Sequence, residues 1–363
     1  MRLIIDSHLD LSWNALSWDR DQTLGLDELN RRDSAFSDDD CRGRATTSLG
    51  EMRRGGIAVC LGTVLTRSKP EVRPPEGHRR ISLDFPSQSI AYATGQGQLA
   101  YYRLLESQGH LRMLRTARDL DEHWRRWEPK GDPNEPLGLL LAMVGADPIA
   151  DPSQAEAWFL DGLRCVSLVH YGEGPYAFGT GKEGPLSPRG RELLREIARL
   201  GLILDVTHLS DQSFFETMDL YSGPLHASHQ NCRSLVPGAR QFTDEQIRIV
   251  VERGGILGVC CDAWMLQAGW QTGVTPRDTV TLEALVDHID HICELAGNHD
   301  HVAIGSDLDG GYGTEQTPAG LDTIADLQKL DAILRLRGYS DDAVNSIFHG
   351  NWLRFFRKWL PRG

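Results

Sequence analysis

The sequence begins with the stretch Leu3-Ile4-Ile5-Asp6-Ser7-His8-Leu9-Asp10, an aliphatic run that ends on a histidine and a carboxylate two residues apart. Side chains at positions i and i+2 of a strand point to the same face. His8 and Asp10 are therefore expected to face one direction at the end of a first strand. Such a pair is typical of a divalent-cation site, although a polar strand end entering a loop is the simpler interpretation of this stretch alone.

Seven further apolar runs follow and predict seven more strands, at residues 57–64, 137–143, 164–170, 202–208, 224–229, 255–261 and 301–307. Near-continuous apolar runs, as opposed to alternating ones, indicate strands covered on both faces, as in a parallel sheet. The segments between them have helical composition and stop signals, for example residues 187–200 and 243–253. Eight strands with helical crossovers predict a (β/α)8 barrel, in preference to an open doubly wound sheet.

Two additions to the barrel are expected. A long insertion separates the second strand from the third: residues 67–86 are rich in proline and charge, and residues 87–108 and 116–127 have helical patterns. We expect this insertion to pack beside or over the barrel mouth. Residues 321–336 and 340–359 predict two closing helices. The sequence contains no internal repeat and no low-complexity linker, so residues 1–363 are expected to form one barrel domain.

Composition and charge argue against several classes of protein. The formal net charge is -13, and neither a nucleic acid nor an anionic membrane is expected as a partner, because both recruit basic surfaces. Met1-Arg2 leads directly into the first strand and no apolar run is long enough to span a bilayer, which predicts a cytoplasmic protein without a signal peptide. The seven cysteines include no Cys-x-x-Cys pair, so reduced and mostly buried thiols are expected.

Polar residues recur where the predicted strands end. The first strand ends at His8 and Asp10, and four others end at His170, His208, His229 and Asp307. Active sites of (β/α)8 barrels lie at the C-terminal ends of the strands. A single buried histidine is often only a hydrogen-bonded core residue. Five strand ends that carry ligands or acid–base groups instead predict one shared site.

Six short motifs, taken in order, resemble the membrane (renal) dipeptidase family. They are Asp6-Ser7-His8-Leu9-Asp10, Ser167-Leu168-Val169-His170, Asp205-Val206-Thr207-His208, Ala227-Ser228-His229-Gln230-Asn231-Cys232-Arg233, Ile304-Gly305-Ser306-Asp307-Leu308-Asp309-Gly310 and His349-Gly350-Asn351-Trp352-Leu353-Arg354. The resemblance covers nearly the whole chain. It implies a barrel of the metal-dependent amidohydrolase superfamily that hydrolyses dipeptides, commonly with a D-residue at the C-terminal position, at a binuclear zinc site. It also implies a homodimer.

The resemblance assigns metal ligands residue by residue. It implies that His8 and Asp10 hold the first metal ion and that His208 and His229 hold the second. Asp307 would lie beside the metals, as a ligand and as the carboxylate that transfers the proton. The implied cofactor is zinc, with one or two ions per chain.

The resemblance also assigns two substrate-binding residues. His170 would polarise the scissile carbonyl and stabilise the developing oxyanion, and Arg240 would pair with the free carboxylate of the substrate. A planar guanidinium suits a carboxylate because it can donate two parallel hydrogen bonds. A solvated surface charge is the alternative for Arg240. The chemistry is coherent in itself: a metal acidifies water, a carboxylate moves the proton and a donor meets the oxyanion.

Two strand ends depart from the family pattern. The third strand of the family ends in a glutamate that bridges the metals, in a pattern like Met-Glu-Gly-Ala-Asp-Pro-Ile, whereas this chain reads Met143-Val144-Gly145-Ala146-Asp147-Pro148-Ile149. An isopropyl group cannot ligate a metal, and Asp147 is not expected to replace the glutamate because the family has an aspartate there too. The seventh strand ends in Cys260-Cys261-Asp262, where relatives tend to have asparagine and aromatic residues, so the substrate is open.

Three functions remain under consideration. The leading one is a zinc-dependent dipeptidase, or a close amide hydrolase, with a weakened or mononuclear site. The second is an amidohydrolase that acts on another small amide or ring compound. The third is a catalytically weakened pseudoenzyme that binds a peptide-like ligand. Metal content separates the first two from the third, and a screen of dipeptides with L and D C-terminal residues separates the first from the second.

Overall fold

The computed structural model describes residues 1–72, 83–128 and 135–363. Eight parallel strands form its centre: β1 (Ile4–Leu9), β2 (Ile57–Leu65), β3 (Leu137–Val144), β4 (Leu163–Ser167), β5 (Ile203–Asp205), β6 (Leu225–His226), β7 (Leu257–Val259) and β8 (Val302–Ile304). Every residue of these strands is buried. All eight predicted strands are confirmed, as is their coverage on both faces, although five of them end before the predicted polar residues.

The strands follow one another around the sheet in chain order. Parallel ladders join β1 through β6 successively, and a further parallel ladder joins β7 to β8. A single parallel bridge between Ala227 and Leu257 connects the end of β6 to β7. The result is the curled parallel sheet of the predicted (β/α)8 barrel.

Side-chain hydrogen bonds connect β8 to β1 and complete the circle. The Asp6 carboxylate accepts hydrogen bonds from the Ser306 amide (2.9 Å) and the Ser306 hydroxyl (2.5 Å). The Ser7 hydroxyl donates to the Ile304 carbonyl at 3.1 Å. Gly305 makes room for this contact, since a Cβ there would lie 2.6 Å from the Ser7 Oγ. The stretch that opens the sequence therefore also closes the barrel.

Helices surround the sheet. The α-helices span Leu11–Trp18, Leu26–Asp33, Leu49–Arg54, Gln88–Ser107, Ala117–Trp127, Ala155–Asp161, Pro188–Leu200, Asp211–Leu220, Asp244–Glu252, Ala263–Leu266, Leu282–Ala296, Leu330–Leu336, Asp341–Asn345 and Asn351–Trp359. Three 3-10 segments (Pro152–Gln154, Arg277–Thr279 and Ile324–Lys329) and a π-helical turn (Ser346–Gly350) complete the set for the described residues. The predicted starts at Ser187 and Thr243 are confirmed, because both side chains cap their helices by accepting a backbone N–H bond.

The insertion between β2 and β3 contributes to several parts of the fold, and its residues Leu111–Met113 form a short parallel strand beside β3. Arg67–Ser68 pairs with Asp84–Phe85 near the barrel mouth, and Leu83 reaches the cavity there. Helix Ala117–Trp127 instead packs against the closing helix Asn351–Trp359. The prediction that the insertion lies beside or over the mouth is thus confirmed for the paired segments and wrong for this helix, because the closing helix lies at the opposite end of the barrel. Residues 73–82 of the proline-rich stretch lie outside the described residues.

The closing helix fills the barrel end that lies away from the mouth. Trp352 and Phe356 stack with ring centroids 5.3 Å apart and pack in one buried cluster with Ile5 and Ile256, near the starts of their strands. The Trp352 indole donates a hydrogen bond to the Ile304 carbonyl at 3.1 Å. Because these aromatic side chains fill one end of the barrel, a ligand can enter only at the other end, where the C-terminal ends of the strands lie.

Two general expectations can be compared with the structure. All seven cysteines are free thiols and six of them are buried, as predicted. In the described ranges, no helix combines the length and the apolar character that crossing a membrane requires.

The closure between β1 and β8 predicts a large stability effect at Asp6. The variant Asp6→Ala leaves the buried Ser306 amide and hydroxyl without their acceptor, which should lower the free energy of unfolding by about 2–4 kcal/mol. Chemical denaturation measures this value. The matched control Asp219→Ala, at an exposed position, should change stability by less than about 0.5 kcal/mol. Equal effects of the two variants would contradict the closure.

Candidate metal centre

All seven residues that the sequence singled out line one cavity at the C-terminal ends of the strands. The cavity encloses about 70 Å³, and its wall contains His8, Asp10, His170, His208, His229, Arg240 and Asp307. The rest of the wall consists of Trp13, Leu65, Leu83, Tyr171, Asp262, Trp264, Met265 and Gly310. Tyr171 also borders a broader surface groove of about 820 Å³. The predicted residues thus converge as the barrel requires.

A common spacing places the polar side chains. His8 lies within β1 and Asp10 just after it, whereas His170, His208, His229 and Asp307 each follow the last residue of a strand by three positions. His208 and Asp307 adopt a left-handed backbone, with φ of 70° and 57°. This conformation costs energy for residues other than glycine, and such strain is concentrated at functional sites.

His8, Asp10 and Asp307 form the anionic side of the cavity. The His8 Nε2 lies 3.6 Å from the Asp10 Oδ1 and 3.6 Å from the Asp307 Oδ1. Ligand atoms of His8, His229 and Asp307 all lie within 4.8 Å of one another. Tetrahedral zinc with bonds of about 2.0–2.2 Å separates its ligand atoms by about 3.2–3.6 Å. The donor set therefore fits one divalent ion.

His208 and His229 form the imidazole side. Their Nε2 atoms lie 3.1 Å apart. The Nδ1 of His208 is 3.0 Å from the Thr180 hydroxyl, and the Nδ1 of His229 is 2.8 Å from the Ser228 hydroxyl. When a hydroxyl accepts a hydrogen bond from Nδ1–H, the Nε2 lone pair faces the cavity. Such outer contacts orient histidines for metal binding, so this pair also fits a metal ion.

Electrostatics keeps most of the histidines neutral. Burial, with the nearby Arg240 guanidinium, holds the pKa values of His170, His208 and His229 well below the usual range. A histidine must be neutral to bind a metal. His208 and His229 are thus in the correct protonation state at neutral pH.

His8 and Asp307 differ because they face one another across the anionic side. Burial opposes the charged imidazole, but Asp10 and Asp307 raise the pKa of His8 to about 9. Burial, with Asp10 nearby, raises the pKa of Asp307 to about 7. Without a metal, this side of the cavity therefore holds a proton at neutral pH, and an ion that binds there must displace it.

The end of β3 carries the apolar Val144 at the position where the sequence resemblance implies a bridging glutamate. Val144 is 2% exposed and packs in a cluster with Trp13 and Leu65, both of which line the cavity. Asp147 is occupied elsewhere, since its Oδ1 accepts a hydrogen bond from the Ser68 amide at 2.6 Å. Among the described residues, the carboxylates in the cavity wall are Asp10, Asp262 and Asp307.

Arg240 is buried, so its interpretation as a solvated surface charge is wrong. Only 4% of the residue is exposed. Its guanidinium donates to the Gln230 side-chain oxygen at 2.9 Å and to the His229 carbonyl at 2.8 Å. A guanidinium has five N–H donors, and these two bonds leave others for a ligand. These two hydrogen bonds hold the Arg240 guanidinium in the cavity wall.

Sequence reasoning missed several residues of the site. Asp262 follows β7 by three positions, the same spacing as the candidate ligands, so this signal was present in the sequence. Tyr171 directly follows His170 and could have been found in the same way. Thr180 and Ser228, which orient His208 and His229, have no such signal because hydroxyl residues are common in loops.

Comparison with known proteins identifies the family of this chain. The family model described as membrane dipeptidase (peptidase family M19) matches residues 2–359. The dipeptidase verJ of Clonostachys rogersoniana is 24% identical over 358 residues, which are 97% of this chain and 82% of that protein.

Two solved structures share the fold. A metallopeptidase of family M19, dipeptidase AC, is 22% identical with a TM-score of 0.76, and 99% of each chain is covered. A metallopeptidase from Rhodobacter sphaeroides, solved with a phosphinate mimic of the dipeptide L-Ala-D-Ala, is 23% identical with a TM-score of 0.76 and the same coverage. The class defined here is a hydrolase of the metallopeptidase type on a (β/α)8 barrel. The chain belongs to the membrane dipeptidase family, peptidase family M19.

The pKa of His8 predicts proton release on metal binding. At pH 7.5 the metal-free protein should hold a proton on His8, because this pH lies below about 9. Zinc should therefore release about one proton or more per ion at pH 7.5 and progressively fewer as the pH rises through about 9. Calorimetric titration in two buffers of different ionisation enthalpy counts these protons. Zinc binding without proton release at pH 7.5 would contradict the assignment.

Proposed function

We propose that the protein is a zinc-dependent dipeptidase whose metal centre consists of His8, Asp10, His208, His229 and Asp307. The observation that carries this proposal is the convergence of these ligands with His170 and Arg240 in one cavity. Family membership supports peptide hydrolysis, and the dipeptide mimic bound by the Rhodobacter sphaeroides relative supports a dipeptide-like substrate, including one with a D-residue at its C-terminus. Zinc, when bound, would polarise the scissile carbonyl and acidify water.

The residues of the chain have separate tasks in this proposal. Asp307 accepts a proton and returns it to the leaving amine, a task that suits a carboxyl group whose pKa is about 7. His170 donates a hydrogen bond to the oxygen that becomes negative. Its buried Nδ1 has no protein partner in the described part of the chain, which leaves it available. Arg240 binds the C-terminal carboxylate of the substrate.

Val144 determines how many ions the centre holds. A bridging carboxylate supplies an anionic oxygen to two ions and screens their repulsion, and an isopropyl group does neither. The side with Asp10 and Asp307 retains two carboxylates, whereas His208 and His229 offer only neutral donors. We infer at least one zinc per chain. For a single ion, charge favours the side with Asp10 and Asp307, whereas zinc's preference for nitrogen ligands favours the side with His208 and His229.

The variant Val144→Glu tests the role of the missing bridge. Zinc per chain should rise toward two and dipeptide turnover should rise with it. The matched control Val144→Gln introduces a side chain with the shape of glutamate but without its charge. It should raise neither the zinc content nor the dipeptide turnover. Equilibrium dialysis with metal analysis and an assay of L-Ala-D-Ala hydrolysis measure both quantities. Two ions per chain in the unaltered protein, with no effect of Val144→Glu, would show that another group bridges the metals.

The variant Arg240→Lys tests carboxylate recognition. It keeps the charge but loses the paired donors, so kcat/KM for a dipeptide should fall roughly 10- to 100-fold. The same dipeptide with an amidated C-terminus should be affected much less. Arg233→Lys is a matched control, because Arg233 pairs with Asp211 outside the cavity wall. An equal loss of kcat/KM for both substrates would show that Arg240 stabilises the fold and does not bind the substrate's carboxylate.

A further inference from the structure

Asp262 is a wall residue that the proposed chemistry leaves without a task. It lies in the cavity wall with Arg240 and Asp307, and only 5% of it is exposed. Its position, three residues after β7, is equivalent to those of His170, His208, His229 and Asp307 after their own strands. The barrel therefore presents Asp262 to the same ligand as the catalytic groups.

The Asp262 carboxyl group has no cationic partner among the residues that the structure describes. Its two oxygens accept hydrogen bonds from the Gln316 side-chain amide at 2.9 and 3.0 Å, and the Trp264 amide is 3.4 Å away. Among the described residues, no lysine, arginine or histidine nitrogen forms an ion pair with it within 4.0 Å. Burial, with Asp307 nearby, raises the pKa of Asp262 well above its usual range. A buried carboxylate without a cation is costly, and a ligand can supply the missing charge.

The charges of the wall indicate what that ligand carries. Among the residues that the structure describes, three carboxyl groups (Asp10, Asp262 and Asp307) and the Arg240 guanidinium line the cavity. One divalent ion would balance Asp10 and Asp307. Arg240 and Asp262 then remain, a guanidinium and a carboxyl group that becomes an anion when a cationic group lies beside it. Such a wall is complementary to a small molecule that has one anionic and one cationic group.

We propose that Asp262 binds the ammonium group of the substrate's N-terminal residue while Arg240 binds the C-terminal carboxylate. This inference rests on the proposed dipeptidase function and assigns the residue of this chain that recognises the substrate's amine. Asp262 is thus a specificity residue of the same cavity. Its hydrogen bonds to Gln316 hold the carboxylate in position.

The test compares L-Ala-D-Ala with its N-acetyl derivative, in the unaltered protein and in Asp262→Asn. Asparagine keeps the shape of the side chain and its oxygen acceptor but removes the charge. A charge-assisted hydrogen bond contributes about 1.5–3 kcal/mol, so acetylation should lower kcat/KM of the unaltered protein roughly 10- to 100-fold. In Asp262→Asn the same acetylation should cost less than about threefold, because the free amine has already lost its partner.

A binding measurement supplies a readout apart from turnover. The inhibition constant of a phosphinate mimic of L-Ala-D-Ala should increase on N-acetylation in the unaltered protein and change little in Asp262→Asn. Asp147→Asn is the matched control, since Asp147 is also a buried carboxyl group but lies outside the cavity wall. It should leave the ratio between free and acetylated ligands unchanged. Thermal unfolding establishes that both variants are folded.

The outcomes separate this inference from the proposal on which it rests. If both substrates are hydrolysed and acetylation has the same effect with and without Asp262, the ammonium assignment is wrong and the dipeptidase function stands. If Asp262→Asn improves turnover of the free dipeptide, Asp262 opposes the substrate and the assignment is also wrong. If the zinc-loaded protein neither cleaves the peptides nor binds the mimic, the dipeptidase function fails and this inference fails with it.

Discussion

The hydrogen bonds between the first strand and the last are the contacts on which the rest of the structure depends. Asp6 and Ser7 hold Ser306 and the Ile304 carbonyl, and this side-chain junction closes the barrel. The neighbouring residue His8 belongs to the same strand and faces Asp307, one residue after Ser306. The contacts that close the barrel therefore also bring two candidate ligands, His8 and Asp307, close together. A shift of this junction would separate the ligands as well as open the sheet.

The cavity concentrates ionisable groups that are costly to bury without counter-charges. The carboxylates of Asp10 and Asp307 raise the pKa of His8, whereas burial beside Arg240 lowers the pKa values of the three other histidines. A divalent ion relieves the repulsion on the anionic side. The apolar cluster around Val144 supplies no charge for a second ion. The same principle, an uncompensated buried charge, links the proposed metal centre to the proposed role of Asp262.

Much of the architecture could be predicted because the signals are local. Continuous apolar runs identified all eight strands, and polar residues at their ends identified the side chains that converge in the cavity. The closure was not predictable, because Ser306 lies 300 positions along the chain from Asp6 and no local pattern relates the two residues. The burial of Arg240 was left open for a similar reason, since its partners Gln230 and the His229 carbonyl become visible only in three dimensions. The metal and substrate roles of these residues stay predictions.

The central claim is that the converging residues form one metal centre that hydrolyses dipeptides. The most direct test is zinc analysis of the purified protein together with L-Ala-D-Ala hydrolysis, before and after chelation and after zinc is restored, in the unaltered chain and in His229→Ala. The account predicts at least one zinc per chain, loss of hydrolysis on chelation, recovery with zinc, and less bound zinc in His229→Ala. Hydrolysis that persists without metal, or a chain that binds no zinc, would contradict it.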